Sequence, residues 1–259
     1  MQSRDYKIFL VDLDGTVYRG KETIESGVRF VKRLQEAGKD YLFLTNNTTR
    51  TPQMVVDKLK GHGVATDVAH IYTPCMATAS WIIEQNPGKK RFGVYIIGQV
   101  GLWTEILSRP EFYFDEQNPD YVIVGMDTDL TYHKLQVANR CIRHGATFIG
   151  TNSDLNLPYG AELLPGNGSI CAMLAAASGQ QPTFIGKPEA IIIDKALELT
   201  KSSRQEALIV GDNYQTDINA GFNSGVDTLM TLTGVNRRED LAGKRQPTYI
   251  VDTLDEFEL

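Results

Sequence analysis

Two aspartates separated by one residue directly follow the first apolar run of the chain. The run, residues 6–11, is typical of a buried parallel strand, and the motif Asp12-Leu13-Asp14-Gly15-Thr16 comes after it. In an extended backbone, residues i and i+2 point to the same side, so we expect the carboxylates of Asp12 and Asp14 to face one space. Two carboxylates at the carboxyl end of a parallel strand predict a site for Mg²⁺ and phosphate.

Three later segments also place polar groups at the ends of predicted strands. Thr45-Asn46-Asn47 supplies a hydroxyl and consecutive N–H groups ahead of a helix, and Lys187 lies at the start of another helix. Helix N-termini and a lysine both suit an anion. Gly211-Asp212-Asn213 repeats the pattern of a strand followed by a carboxylate, with Asp217 further on. Each segment alone is typical of a turn or a helix cap, but their order favours one shared site.

The remaining sequence predicts elements that would bring these strand ends together. Apolar runs predict strands at 6–11, 41–44, 70–72, 93–97, 121–124, 147–150, 184–185, 207–210, 227–230 and 248–251. Helical patterns alternate with them at about 26–37, 52–60, 74–84, 102–107, 132–144, 169–177, 189–199 and 216–222. This alternation predicts an α/β protein built on parallel sheets. Because the chemical motifs fall within 12–51 and 186–217, we predict a core domain of residues 1–78 and 181–259, interrupted by an inserted α/β domain of residues 79–180. The first boundary can also be placed near Pro74 or at Asn86-Pro87-Gly88, and the second lies within Gly179–Pro182.

Composition limits the classes of function. The chain has 259 residues, a net charge of -6 and 42% hydrophobic residues, so no global positive field attracts nucleic acid or anionic lipid. Three cysteines without CxxC spacing, Cys75, Cys141 and Cys171, fall in predicted helices and favour buried, reduced thiols. No apolar run approaches 18 residues and no leader pattern is present, so we expect a cytoplasmic protein with neither membrane nor nucleic-acid partners.

The ordered set Asp12-Leu13-Asp14-Gly15-Thr16, Thr45, Lys187 and Gly211-Asp212 with Asp217 resembles the haloacid dehalogenase (HAD) superfamily of phosphatases. Five segments resemble its NagD-like, type IIA branch: Leu44-Thr45-Asn46-Asn47, Thr151-Asn152-Ser153-Asp154, Leu164-Pro165-Gly166-Asn167-Gly168-Ser169-Ile170, Gly186-Lys187-Pro188 and Gly211-Asp212-Asn213. The resemblance covers essentially the whole chain. It implies a Rossmann-like core with a parallel sheet, interrupted by a large α/β cap, and it suggests a homodimer.

The resemblance also implies a role for each residue of the motifs. Asp12 is the expected nucleophile that forms an aspartyl-phosphate, and Asp14 is the expected general acid and base. Mg²⁺ would be held by Asp12, the backbone carbonyl of Asp14, and Asp212. The expected phosphate-binding residues are Thr45, Asn46, Lys187 and Asn213, and the expected supporting residues are Gly15, Thr16, Asn47 and Asp217. Asp217 would steer Lys187 or the metal waters, or else offset a helix dipole as an N-terminal carboxylate.

Residues of the inserted domain bear on the substrate. Asn152 and Asp154 are candidates for specificity residues that face the phosphate, although the same segment is typical of a polar turn. Two positions depart from the family pattern: Ser153 stands where proline is usual, and Asn167 stands where a small residue is usual.

Three other functions compete with hydrolysis. A phosphotransferase or mutase would use the same aspartyl-phosphate, so the core residues do not separate it from a phosphatase. A non-catalytic phosphorylation switch lacks a use for Asp14 and for the large insertion. A nucleotide-binding module would rest on Gly98-Gln99-Val100-Gly101, which is neither a dinucleotide fingerprint nor a Walker motif. We therefore predict a Mg²⁺-dependent phosphomonoester hydrolase acting on small metabolites such as sugar phosphates or nucleoside monophosphates.

Overall fold

The computed structural model describes residues 5–159 and 162–259. Its strands are β1 (Ile8–Val11), β2 (Tyr18–Arg19), β3 (Glu22–Thr23), β4 (Asp40–Leu44), β5 (Ile71–Tyr72), β6 (Phe92–Ile97), β7 (Phe112–Phe114), β8 (Tyr121–Val124), β9 (Thr147–Gly150), β10 (Asn156–Tyr159), β11 (Glu162–Pro165), β12 (Thr183–Phe184), β13 (Ala207–Gly211), β14 (Asp227–Thr231) and β15 (Tyr249–Val251). Its α-helices are α1 (Glu25–Glu36), α2 (Pro52–Gly61), α3 (Pro74–Gln85), α4 (Val100–Leu107), α5 (Tyr132–Arg143), α6 (Asn167–Ser178), α7 (Ala190–Thr200) and α8 (Asn219–Ser224). The alternation of strands and helices confirms the predicted α/β class.

The chain divides into two compact units. The first unit, called the core unit here, comprises the chain through Thr45, Pro52–Tyr72 and Lys187–Leu259. The second, called the inserted unit, comprises Asn46–Thr51 and Thr73–Gly186. The chain therefore passes from one unit to the other at residues 46, 52, 73 and 187, and the long segment of the inserted unit contains the predicted domain 79–180.

The core unit is built on a parallel six-stranded sheet with the order β15-β14-β13-β1-β4-β5. Both β1 and β13 are apolar and buried along their whole length, as expected for central parallel strands. Val11 is in register with Val210 of β13 and with Phe43 of β4. Because these three strands end level with one another, the residues that follow them lie at one edge of the sheet.

The inserted unit has its own parallel sheet, with the order β12-β9-β8-β6-β7. Helix α3 belongs to this unit and packs against α4. At the other end of the insertion, Phe184 of β12 pairs with Gly150 of β9. These contacts place α3 and β12 in the inserted unit.

The longer predicted elements are confirmed, and the deviations concern short ones. The sequence analysis missed the hairpins β2–β3 and β10–β11 and the strand β7, since a strand of two to four residues shows almost no periodicity. A helix predicted over 216–222 begins only at Asn219, because a π-helical turn, Tyr214–Ile218, precedes it.

The three cysteines lie in buried parts of helices. Cys75, Cys141 and Cys171 are buried and free, and they lie in α3, α5 and α6 as predicted. Within the described ranges, none of the helices combines the length and the apolar character that a membrane span requires.

Candidate active site

The carboxyl edge of the core sheet gathers three aspartates. Asp12 follows β1 and Asp212 follows β13, so the shared register of the two strands brings their side chains together. Asp217 joins them from the π-helical turn. One carboxylate oxygen of each residue lies within 4.8 Å of those of the other two, and all three residues are buried. The structure thus brings together the predicted nucleophile, a predicted metal ligand and a predicted supporting residue.

A buried lysine links this cluster to a third strand. Lys187 Nζ donates hydrogen bonds to Asp12 Oδ1 at 2.6 Å, to Asp217 Oδ1 at 2.6 Å and to the carbonyl oxygen of Leu44, the last residue of β4, at 2.8 Å. The ammonium group has three donors, so these acceptors satisfy it completely. Burial lowers the pKa of Lys187, but the charges and hydrogen bonds of Asp12 and Asp217 outweigh it and hold the pKa above its usual value. Lys187 is therefore a fixed positive charge.

The three carboxylates carry more negative charge than Lys187 balances. Burial raises the pKa of Asp12 well above its usual value, and the neighbouring Asp217 and Asp212 raise it further, against the opposing effect of Lys187. Burial and the charge of Asp217 likewise raise the pKa of Asp212 to about 7. A bound divalent cation would relieve this repulsion, and carboxylate oxygens are the ligands that Mg²⁺ prefers. The residues present therefore fit a divalent metal ion.

Two loops hold the Asp212 carboxylate in place. Its Oδ2 accepts a hydrogen bond of 2.7 Å from the N–H of Val235, and its Oδ1 accepts one of 3.5 Å from the hydroxyl of Thr16. A Cβ atom at Gly15 or at Gly234 would lie 2.3 Å or 1.8 Å from Asp212 Oδ2, so neither position tolerates a side chain without a shift. Gly15 also adopts a φ of +93°, a conformation that favours glycine.

Both carboxylate oxygens of Asp217 are engaged by protein groups. Oδ1 accepts from Lys187, and Oδ2 accepts a 3.1 Å hydrogen bond from the backbone N–H of Asn213. Of the three interpretations given for Asp217, this geometry favours the one in which it steers Lys187. The side-chain oxygen of Asn213 accepts from the N–H of Gln215 at 2.9 Å, so it caps the π-helical turn. The phosphate-binding role of Asn213 stays a prediction.

Asp14 lies in a different environment from Asp12. Its side chain is 54% exposed and is not part of the buried carboxylate cluster. The nearby cation is Lys58 of α2, whose Nζ lies 3.8 Å from Asp14 Oδ1. The two aspartates of the motif therefore differ: Asp12 is buried and fixed by Lys187, whereas Asp14 is exposed.

Thr45 is buried at the end of β4, and its backbone N–H donates to the carbonyl oxygen of Tyr72 at 3.4 Å. Thr45 directly follows Leu44, whose carbonyl oxygen Lys187 contacts, and the role of its hydroxyl in binding phosphate stays a prediction.

The remaining predicted residues form a second group, within the inserted unit. Asn46 Nδ2 donates to Asp154 Oδ2 at 3.1 Å, and Asn152 Nδ2 donates to the carbonyl oxygen of Asn46 at 2.9 Å. Asn152 Oδ1 also accepts from the N–H of Asp154 at 3.2 Å, which is the polar turn that the sequence suggested. Asn47 Oδ1 accepts from both the N–H and the hydroxyl of Thr49. Asn167, the unusual residue of the family motif, donates to the carbonyl oxygen of Asn152 at 2.8 Å.

Sequence reasoning missed several groups of the site. The carbonyl of Leu44 and the N–H of Val235 are backbone atoms, which carry no signature in side-chain identity. Gly234 lies shortly after β14, and Gly211 is the last residue of β13. A glycine near the end of a predicted strand can indicate that another group approaches the backbone closely, so the sequence did contain a signal for Gly234. Lys58 lies on a helix without any motif, so nothing in the sequence distinguishes it from the other lysines.

Comparison with known proteins gives consistent results over both halves of the core unit. Residues 9–108 match a family model described as haloacid dehalogenase-like hydrolase, and residues 184–257 match a second model of HAD-hydrolase-like proteins. The chain is 44% identical to the 5'-nucleotidase YutF of Bacillus subtilis over 98% of both chains. It is 41% identical to an acid sugar phosphatase of Staphylococcus aureus, over 98% of this chain and 97% of that protein.

Solved structures agree with the sequence comparisons. A thermostable NPPase double mutant from Geobacillus stearothermophilus superposes with a TM-score of 0.92 at 41% identity, over 99% of both chains. NagD from E. coli superposes with a TM-score of 0.90 at 30% identity, over 98% of this chain and 99% of that one. The similarity therefore extends over the inserted unit as well as the core unit.

Proposed function

The chain belongs to the haloacid dehalogenase-like hydrolase family, in which its relatives are phosphatases, and we propose that it hydrolyses phosphomonoesters of small metabolites through an aspartyl-phosphate on Asp12. The observation that carries the proposal is the contact between Lys187 and Asp12. It fixes one carboxylate oxygen of Asp12 at 2.6 Å from a permanent cation, at the edge of a sheet where two further carboxylates converge. A structural ion pair alone would not need the additional buried negative charge.

In the first step, the Asp12 oxygen that does not accept from Lys187 would attack phosphorus. A P–O bond forms to Asp12, the P–O bond to the leaving alkoxide breaks, and Asp14 donates a proton to that alkoxide. In the second step, Asp14 removes a proton from a water molecule, which attacks phosphorus, releases inorganic phosphate and regenerates the Asp12 carboxylate. Asp14 thus ends the second step protonated again, and its exposure supports this role because a leaving alcohol and an incoming water could both reach it.

The phosphoryl group would be held by charge and by hydrogen-bond donors. Lys187 is fixed by three acceptors, so it stabilises negative charge that develops on the phosphoryl oxygens without having to reorganise. The Thr45 hydroxyl, and the predicted contacts from Asn46 and Asn213, would orient the remaining oxygens.

Mg²⁺ is the cation we propose for the site, held by Asp12, Asp212 and the backbone carbonyl of Asp14. When bound, it supplies positive charge that shields the anionic substrate from the anionic nucleophile. Thr16, Gly15 and the loop around Val235 fix the Asp212 ligand, so the chain's own packing prepares the position of that carboxylate.

The substrate class follows from the relatives. One relative is named a 5'-nucleotidase and another an acid sugar phosphatase, so we propose nucleoside monophosphates and sugar phosphates as the classes to test. Asn152 and Asp154 are the proposed specificity residues, supported by their hydrogen bonds to Asn46. A homodimer stays a prediction.

The test is phosphate release from a panel of sugar phosphates, nucleoside monophosphates and nitrophenyl phosphate, with Mg²⁺ and with excess EDTA. We expect release that requires the metal. Product analysis separates hydrolysis from the transfer alternative: inorganic phosphate indicates a phosphatase, whereas an isomerised ester without phosphate release indicates a mutase. A folded protein that releases no phosphate from any ester, with or without Mg²⁺, would refute the proposal.

A further inference from the structure

We infer that Lys58 is a positioning residue for Asp14, which it holds for proton transfer to the leaving group. The inference rests on the proposed function, since it assigns a task to a neighbour of the proposed general acid. Lys58 Nζ lies 3.8 Å from Asp14 Oδ1, and the Lys58 side chain is only 19% exposed, against 54% for that of Asp14. A half-buried lysine thus lies beside an exposed carboxylate.

Asp14 needs such a neighbour because little else restrains it. Asp12 is fixed by Lys187 at 2.6 Å and Asp212 by the N–H of Val235 at 2.7 Å. Among the described residues, the Asp14 carboxylate accepts no hydrogen bond, and Lys58 is the cation within 4 Å of it. A general acid has to be within reach of the proton acceptor in a narrow geometry, so an unrestrained carboxylate spends much of its time out of position.

Lys58 is itself restrained by an aromatic ring. Its Nζ lies 3.5 Å from the centroid of the Tyr18 ring, a distance typical of a strong cation–π contact. The Tyr18 ring stacks on His62, with centroids 4.9 Å apart, and His62 Nδ1 is hydrogen-bonded to the hydroxyl of Thr23 at 2.8 Å. Tyr18 and Thr23 are paired across the β2–β3 hairpin that directly follows the Asp14 motif. The β2–β3 hairpin, which follows Asp14 in the chain, therefore also anchors Lys58, the residue that contacts Asp14.

A purely structural role for Lys58 would be to stabilise the C-terminal end of α2. Lys58 and Lys60 both lie in the last turn of α2, where a cation favours the helix dipole. An ion pair at 3.8 Å with an exposed carboxylate adds little to stability in water. Lys60 shares the helix position of Lys58 but is exposed, so it is a matched control for the dipole and for net charge.

The experiment measures kcat/KM for wild type, Lys58→Met, Lys58→Arg and Lys60→Met on an alkyl phosphate and on nitrophenyl phosphate. The nitrophenolate leaves without protonation, whereas the alkoxide needs the acid. Acid catalysis contributes about 10²–10⁴-fold, so partial loss of its positioning should lower the alkyl-to-nitrophenyl ratio about 10-fold in Lys58→Met. We expect Lys58→Arg to restore most of the ratio and Lys60→Met to leave it unchanged. The ratio does not depend on the fraction of folded enzyme.

A double-mutant comparison closes the test. If Lys58 acts through Asp14, Lys58→Met should have almost no effect on kcat in an Asp14→Asn background, measured with nitrophenyl phosphate and the alkyl phosphate. An unchanged ratio in Lys58→Met, an equal change in Lys60→Met, or a rise in KM alone would overturn the inference. If wild type releases no phosphate from either ester, the proposed function fails instead, so the two failures are distinguishable.

Discussion

The two sheets of this protein have the same kind of edge at the carboxyl ends of their strands, but different groups occupy the two edges. Each is a parallel sheet whose strands end level with one another, and in open α/β sheets ligands bind beyond the carboxyl ends of the strands. The core edge holds Asp12, Asp212 and Lys187. The edge of the inserted sheet is covered by the chain itself, by the segment Asn46–Thr51.

Backbone contacts show how that segment occupies the second edge. The carbonyl oxygen of Thr49 accepts from the N–H of Gly101 at 3.3 Å, at the start of the helix after β6. The hydroxyl of Thr48 accepts from the N–H of Met126, just after β8, at 3.4 Å. These contacts lie between β6 and β8, the point at which the strand order of the sheet reverses. In this sheet the crevice that could bind a ligand binds a segment of the same chain, so architecture alone does not decide where chemistry occurs.

The largest expected effect comes from removing the nucleophile at the core edge. Asp12→Asn keeps the size of the side chain and removes the attacking charge, so kcat should fall by about 10⁴-fold or more. The measurement is phosphate release with Mg²⁺. Asp227→Asn is the matched control, because Asp227 begins β14 of the same sheet and accepts from the Tyr6 hydroxyl. A folded, active Asp12→Asn enzyme would contradict the assignment of Asp12 as the nucleophile.

Loss of the fixed cation should be the next largest effect. Lys187→Met leaves Asp12 and Asp217 without their shared partner, and we expect kcat to fall by about 10²–10³-fold. The Tm should also fall, because buried carboxylates lose their counter-charge. Lys195 is also largely buried and bonds to Glu198, which makes Lys195→Met the control for removing a buried lysine elsewhere. Equal losses of kcat in both variants would show that burial rather than position of the charge matters.

A glycine tests the filled edge of the inserted sheet. A Cβ atom at Gly101 would lie 2.4 Å from the backbone oxygen of Arg50, so Gly101→Ala must displace the segment. We expect a loss of about 1–3 kcal/mol in the free energy of unfolding, measured by denaturant titration. Gly61→Ala, at a position with nothing within 4 Å, serves as the control. An unchanged stability in Gly101→Ala would mean that the segment does not occupy this edge.

The smallest expected effect is a change in the stability of the folded chain with pH when no metal is bound. The pKa of Asp212 is raised to about 7 in the folded chain, from 3.8, so the folded state holds the proton more tightly than the unfolded state. Stability in EDTA should therefore decrease as the pH rises from 4 to 7 and level off above it. Mg²⁺ competes with that proton, so the rise in Tm on adding Mg²⁺ should be larger at pH 8 than at pH 5. A rise in Tm of the same size at both pH values would contradict this assignment.

Most of the core edge could be predicted because its residues directly follow strands. Asp12 and Asp212 come after short apolar runs that are typical of buried strands, and a parallel sheet brings the ends of such strands together. Lys187 was predicted for the same reason, although its contact with the Leu44 carbonyl was not.

The rest depends on contacts that a local pattern does not contain. The segment Asn46–Thr51 reads as a loop before a helix, and only its hydrogen bonds to residues far along the chain place it in the inserted unit. The position of Lys58 depends on the β2–β3 hairpin, whose strands of two residues are too short to be recognised. The unit to which Asn46–Thr51 belongs and the position of Lys58 are both decided by tertiary packing, which the periodicity of the sequence does not show.

The membership of Asn46–Thr51 in the inserted unit sets the breakpoints for recombining this enzyme with its relatives. A chimera that exchanges only Thr73–Gly186 would separate the segment from the sheet that it contacts. An exchange that carries both pieces would transplant Asn46, Asn152 and Asp154 together, with their mutual hydrogen bonds intact. The host would still supply Asp12, Lys187 and Asp212. If Asn152 and Asp154 set specificity as proposed, substrate choice would move between the enzymes with these two segments.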